Sequence, residues 1–268
     1  MKPALLNLGC GSFIHDDWTN VDFFSSNEKV IAHNLSLGVP FASNMFDAVY
    51  HSHVLEHFRK PEALPFIEEC FRVLKPGGCL RVVVPDLEGI CRDYVKWLEL
   101  AFQGSAEAKL NYEWIVIELL DQLVRDEAGG EMAAMLTRDR IANLDYITQR
   151  IGVDIRESLA PGQTPRARRR STRALLVGVL QRVFGKHLTY YRVGKFRMSG
   201  ESHKWMYDRY SMRELLLAAG FTAVQQASAY ESRIADFATY GLDLYKGQKR
   251  GESSLFMEAI KPLEIRAR

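Results

Sequence analysis

The sequence predicts an α/β fold: a doubly wound, mostly parallel seven-stranded sheet carrying a large helical insertion. Three observations point there. Short apolar runs alternate with turns and one helical stretch over the first 90 residues, long helical segments follow, and the strand–helix rhythm returns from about residue 205. Such alternation is the pattern of a parallel sheet covered by helices. The core is therefore expected in residues 1–90 and 205–268, with the helical residues 91–204 inserted between them.

Ala4-Leu5-Leu6-Asn7-Leu8 reads as a buried first strand ending at Gly9-Cys10-Gly11. Asn20-Val21-Asp22, Lys29-Val30-Ile31-Ala32 and Phe46-Asp47-Ala48-Val49-Tyr50 follow as short strands. Pro61 opens a helix whose apolar positions Leu64, Ile67, Phe71 and Leu74 keep a helical spacing. Lys75-Pro76-Gly77-Gly78 ends it with a basic residue and helix breakers. Cys79 to Pro85 is the most β-branched run and is expected at the sheet centre. Beyond it, Asp93 to Leu100 and Trp114 to Val124 read as amphipathic helices, Gly129-Gly130 as a break and residues 161–165 as a loop. Ser211-Met212-Arg213-Glu214 has the form of a capping box before Leu215 to Ala218, with Gly220 as the stop. Phe221 to Ala229 and Leu255 to Ile260 complete the seven strands.

Hydrophobic residues make up 47% and charged residues 25% of the 268. That balance excludes a disordered, collagen-like or coiled-coil chain. No apolar run approaches the ~20 residues of a bilayer span, and the run after Met1-Lys2-Pro3 is too short for a signal peptide. Cys10, Cys70, Cys79 and Cys91 stand singly, without a CxxC pair. A reducing, cytoplasmic setting is expected. Charge is segregated: ten Lys/Arg and no acid fall between Ser158 and Gly200, on an otherwise net acidic chain.

Gly9 and Gly11 at a strand's carboxyl end let a ligand approach the backbone, at the edge where open α/β sheets bind ligands. Asp22, at the end of the next strand, offers a carboxylate to both hydroxyls of a ribose. A dinucleotide is disfavoured, because Ile14 stands where a third glycine would fall and Ser12 to Thr19 is too short for the usual crossover helix. The ordered motifs Leu6-Asn7-Leu8-Gly9-Cys10-Gly11, Asn20-Val21-Asp22, Phe46-Asp47-Ala48-Val49-Tyr50-His51-Ser52-His53-Val54-Leu55-Glu56-His57 and Arg72-Val73-Leu74-Lys75-Pro76-Gly77-Gly78 resemble those of class I S-adenosylmethionine (SAM)-dependent methyltransferases, and most closely the bacterial methyltransferase-domain (type 11-like) proteins.

The resemblance implies a Rossmann-like methyltransferase core with S-adenosyl-L-methionine as cofactor. By it, Gly9 and Gly11, with Asn7 and Cys10 in the same loop, would lie along the methionine part. Asp22, followed by Phe23, would bind the ribose. Asn34 and Leu35 would flank the adenine, and His51 and Ser52 would face the sulfonium. Two departures stand out: Asn7 occupies a position that is acidic in many members, and the first crossover is short. The insertion would close over the acceptor site. The acceptor is expected to be a small molecule or a glycan-type sugar methylated on oxygen or nitrogen, the glycan resting on the resemblance alone.

Methyl transfer to a hydroxyl needs a base near the nucleophile. His53, Asp86 and His203 are the catalytic candidates, each with an equally available structural role. His53-Val54-Leu55-Glu56-His57 also matches HxxEH, in which two histidines on a helix hold zinc beside a glutamate base. Here the motif directly follows a strand, so a zinc hydrolase is disfavoured and no metal is expected. Ser202 to Asp208, rich in aromatic residues, reads as an acceptor wall or as packing of the insertion on the core. Arg166, Arg168, Arg169, Arg170 and Arg173 precede an apolar helical face at Leu176, Val179, Leu180 and Val183. Residues 166–184 suit peripheral contact with the anionic inner membrane surface, closure over a phosphorylated or lipid-linked acceptor, or a solvated loop. No nucleic-acid module accompanies the arginines, so nucleic acid is not an expected partner. An insertion this long also has room for a homodimer interface. A non-catalytic SAM-fold module acting through the basic segment is the alternative to an enzyme.

Overall fold

A computed structural model describes residues 2–25, 27–152, 185, 187–245, 247–249 and 253–263. Seven strands form one sheet in the order β3-β2-β1-β4-β5-β9-β6. They are β1 (Leu5–Leu8), β2 (Trp18–Asp22), β3 (Val30–Ala32), β4 (Phe46–Ser52), β5 (Leu74–Pro85), β6 (Thr222–Gln226) and β9 (Ser254–Ile260). The first five run parallel, while β9 lies antiparallel between β5 and β6. A two-stranded ribbon, β7 (Leu244–Tyr245) and β8 (Gln248–Lys249), precedes β9. Chain direction around the sheet reverses between β1 and β4, the switch point where this architecture leaves a crevice at the strands' carboxyl ends.

Helix α1 (Lys60–Val73) covers one face of the sheet, burying Phe66, Ile67 and Cys70 against Leu6, Leu8, Val49 and Leu80. Its N-terminus is closed by Arg59 and Glu62, the Glu62 carboxylate accepting the Arg59 N–H at 2.9 Å. Leu74 does not extend the helix; it pairs with Phe46 as the first residue of β5, ahead of a register shift. Helix α7 (Arg209–Ala218) packs on the same face through Met212 and Leu216. The expected box at Ser211–Glu214 is displaced: Asp208 is the N-cap, accepting from the backbone of Tyr210 and Ser211, and Ser211 is its reciprocal partner. Glu214 pairs with Arg213 instead.

No helix connects β1 to β2. The opposite face of the sheet is covered by the segment after β6, where Ala229, Ile234, Phe237 and Leu242 pack on Leu5, Trp18, Tyr50, Val83 and Phe256. Under this cover sits a buried charge cluster. Arg81 Nη1 meets Glu258 Oε1, directly opposite in register, at 2.7 Å, and its Nε meets Asp243 Oδ2 at 2.8 Å.

Between β5 and α7 the described elements are helical: α2 (Leu87–Phe102), α3 (Ala106–Val124), α4 (Gly130–Leu136), α5 (Leu144–Ile151) and α6 (187–197). Arg150 ties α5 to Glu118 of α3 at 2.7 Å, and its carbonyl accepts Ser253 N–H just before β9. The helices are thereby fastened over the carboxyl edge of the sheet. The basic segment 166–184 lies outside the described residues. Among the described residues no helix is long and apolar enough to cross a membrane.

Candidate active site

Three cavities meet at the carboxyl edge of the sheet. One, of about 250 Å³, is lined by Asn7, Gly9, Cys10, Gly11, Ser12, Tyr50, Ser52 and His53. A second, of about 510 Å³, runs from Gly9 past Asp22, Phe23, Asn34 and Leu35 to Met198. The third, of about 220 Å³, lies beneath the helical segment between Ser52, His53, Ile90, Gln122, His203, Met206 and Ser254. His53 lines all three, and Ser52 joins the first to the third.

The glycine loop is built by β1 and held by β2. The N–H groups of Gly9 and Cys10 both donate to Val21 O, at 2.8 and 3.1 Å. Gly9 and Gly11 have φ of +64° and +52°. A Cβ on Gly9 would stand 2.3 Å from Val54, whereas one on Gly11 would meet nothing within 4 Å. Gly9 is thus required by packing, and the space over Gly11 is open to a ligand. The Asp22 carboxylate accepts the N–H of Gly11 and that of Phe23, each at 2.6 Å, one on each oxygen. Each oxygen keeps a free lone pair, as many as the two hydroxyls of a ribose would need.

Asn7 accounts for the missing crossover helix. Its Nδ2 donates to Phe13 O at 2.9 Å and to Asn20 Oδ1 at 3.0 Å, and Asn20 in turn donates to His15 O and Trp18 O. The pair braces the short β1–β2 turn, a task for a donor that a carboxylate lacks. Asn34 caps the 3-10 turn Leu35–Leu37, accepting Ser36 N–H, and both Asn34 and Leu35 border the second cavity.

His51 departs from expectation. Side chains alternate across a strand, so His51 points to the α1 face with Val49 while Tyr50 and Ser52 point to the other, Tyr50 into the core beneath the segment after β6 and Ser52 beside the first and third cavities. His51 is fully buried against Phe66, neither ring nitrogen has a partner, and burial pulls its pKa down to about 4. It cannot face a sulfonium in the cleft. Asp86, another catalytic candidate, borders none of these three cavities; it is the N-cap residue of α2, its carboxylate lying over Gly89, and it bridges to Tyr207.

His53 sits just past β4 with φ of +55°, its N–H bonded to Val83 O at 2.9 Å. A non-glycine residue in the left-handed region is uncommon and marks a position held by its surroundings. Its Nδ1 meets Glu56 Oε1 at 3.1 Å and its Nε2 meets Ser254 Oγ at 3.2 Å. Glu56 is fully buried; burial pushes its carboxyl up, but the His53 hydrogen bond and the surrounding histidines outweigh it and hold the carboxyl below its ordinary value. His203, also buried, lines the third cavity, and desolvation pulls its pKa down to about 4. Tyr207 and Met206 of the junction are buried while Trp205 carries Lys60 over its ring. Ser254 and Gln122 line the third cavity without having been singled out from the sequence, and Glu56 was read only as the glutamate of the HxxEH string. Only the HxxEH string carried any local signal, for Glu56.

Strand order and a glycine-lined, acid-flanked cleft define a doubly wound fold with a crevice suited to a nucleoside cofactor. Residues 19–82 match the family model described as a methyltransferase domain, and the strand order is consistent with that kind of domain. A demethylmenaquinone methyltransferase of Geobacillus sp. (strain WCH70) is 31% identical over 121 residues, 42% of this chain and 48% of that protein. The chain thus matches about half the length of that curated relative. Among solved structures, a 1,6-didemethyltoxoflavin-N1-methyltransferase of Burkholderia thailandensis superposes with a TM-score of 0.41 at 12% identity, covering 97% of this chain and 71% of its own. A SAM-dependent methyltransferase of Archaeoglobus fulgidus gives 0.39 at 11%, covering 97% and 86%. The fold assignment rests on strand order and register rather than on these superpositions.

The family's cofactor is S-adenosyl-L-methionine, and the residues present fit it: an open glycine cradle, a carboxylate with lone pairs to spare, and a cavity extending from both.

Proposed function

We propose that this chain transfers a methyl group to oxygen or nitrogen of a small-molecule or glycan-type acceptor held in the third cavity. The observation that carries the reading is His53, whose ring borders the cavities assigned to donor and acceptor alike. Asp22 would hold the cofactor's ribose, the Gly9–Gly11 loop its methionine part, and Asn34 with Leu35 its adenine. When bound, the cofactor supplies an electrophilic methyl on a sulfonium. The chain's part is to position the acceptor and exclude water. His53, braced by Glu56 on Nδ1, presents Nε2 to the acceptor side, where it would take the acceptor's proton.

The third cavity, at about 220 Å³, is smaller than the roughly 300–1,000 Å³ of drug-sized sites. Its walls mix Ile90, Met132, Met206 and Phe256 with Ser52, Gln122, His203 and Ser254. That mixture suits one ring carrying hydroxyl or amino groups better than a long apolar chain. Incubating the protein with methyl-labelled SAM and a panel of monosaccharides and small amines tests this. Transfer is expected to at least one, reduced about 10²–10⁴-fold by His53→Gln. Cofactor binding without transfer to any acceptor would favour a non-catalytic module.

A further inference from the structure

Methyl transfer uses His53 and its Glu56 brace but leaves His57 of the HxxEH string without a task, and the fold alters which of its residues stand together. The motif lies on a 3-10 turn, Leu55–His57, rather than on a helix. His53 is committed to Glu56 Oε1 and Ser254. The junction after the helical segment instead brings His203 to the cluster. The ligating atoms of Glu56, His57 and His203 all lie within 4.8 Å of one another. The His57 and His203 rings are 4.9 Å apart and nearly perpendicular.

Two further observations point to an ion. Glu56 Oε2 and His57 Nδ1 are buried without a hydrogen-bond partner, and buried polar atoms left unpaired are costly. Among the described residues, the groups within ion-pair distance of the fully buried Glu56 carboxylate are histidines, His53 and His203, with no Lys or Arg. A buried anion needs a compensating cation. The backbone already draws the two segments together, Lys204 and Trp205 both donating to Glu56 O at 2.7 and 3.2 Å.

We propose that Glu56, His57 and His203 bind a divalent transition-metal ion, zinc by its ligand set, which pins the junction to the turn after β4. Two histidines and one carboxylate are an established zinc set that leaves a fourth position to water. Ligand atoms of a zinc tetrahedron stand about 3.3 Å apart, from bonds of ~2.0–2.1 Å, so the three side chains close in by about an ångström on binding. His203 is buried, with its Nε2 4.0 Å from Glu56 Oε1. Glu56 Oε1 stays with His53, so the ion would also fix that ring from its far side. This departs from the expectation of no metal.

The test uses the full chain and zinc alone, and does not depend on any acceptor. Purified protein is assayed for metal by mass spectrometry, then stripped with chelator and titrated with Zn²⁺, with Co²⁺ absorption reporting ligand geometry. One zinc per chain with micromolar or tighter affinity is expected, weakened at least 100-fold in Glu56→Gln and in His203→Gln and unchanged in His187→Gln. His57→Ala, at a half-buried position, provides a further variant should either of the first two fail to fold. Absence of uptake at tens of micromolar zinc, or equal uptake by wild type and folded site variants, would overturn the proposal. Binding of S-adenosylhomocysteine, measured separately, tells failure of this proposal from failure of the methyltransferase reading.

Discussion

The carboxylate of Asp22 accepts the backbone N–H of Gly11 at 2.6 Å, tying the end of β2 to the loop after β1. Two glycines in that loop have different physical roles, and substitution separates them. Gly9→Ala drives a methyl into Val54 and is expected to lower folding stability by roughly 2–4 kcal/mol, overpacking added to left-handed strain. Gly11→Ala costs only the strain, ~1–2 kcal/mol, but places a methyl in the open cradle. It should fold and lose cofactor affinity at least tenfold. Thermal unfolding and calorimetry on the two variants check this; equal stability losses would contradict it.

His51 predicts an acid dependence of stability. Its folded pKa, about 4, lies below the ordinary 6.5 because burial disfavours the imidazolium. The unfolded chain therefore binds a proton that the native state refuses, and this contribution to stability falls as pH drops from about 6.5 towards 4. His51→Leu removes the proton site and two unpartnered nitrogens. The variant should match or exceed wild type at pH 7 and lose less stability by pH 5. Urea midpoints at the two pH values decide it.

Arg81 is fully buried and is held by Asp243, Glu258 and the carbonyls of Ser228 and Glu231. Arg81→Met removes the buried cation from beside Asp243, which keeps the Tyr50 hydroxyl, and Glu258, which keeps Ser232 and the Arg233 N–H; removing one partner of a buried charge set costs about 3–5 kcal/mol. The loss should appear as a lower denaturant midpoint with little change in cofactor affinity in the protein that remains folded, because Arg81 itself borders neither cofactor cavity and its partner Asp243 lines only the third.

Asn7→Asp would restore the acid that many members of the family carry, yet here it should harm. The aspartate has no donor for Phe13 O or Asn20 Oδ1 and meets both with negative charge. A loss of at least ~1–3 kcal/mol is expected, and weaker cofactor binding as the loop loosens. A variant as stable as wild type would show that the Asn7–Asn20 brace is not what holds the short turn.

Much of the sheet was legible because strands and α1 write their periods locally. Asn20–Asp22, Val30–Ala32, Phe46–Tyr50 and the β-branched Val82–Val84 all fall in strands. His51 was misplaced by reading order along the motif without following the side-chain alternation that sends it to the α1 face. The cap of α7 lies three residues earlier because Asp208 accepts the N–H groups of Tyr210 and Ser211 and so starts the helix before Ser211. What covers the second face of the sheet was not legible at all. Phe237 and Leu242 reach Trp18 and Tyr50 across some 200 residues of chain, and no local pattern records such a contact. The same holds for His203 beside Glu56, which meet only because the segment between them folds back.

The most direct measurement is calorimetric titration of the chain with S-adenosylhomocysteine, beside Asp22→Ala. The account predicts micromolar binding by wild type and a loss of at least tenfold in a variant that remains folded. No binding by the folded wild type, or binding unchanged in the variant, would contradict the cleft at the β1–β4 switch point as the cofactor site.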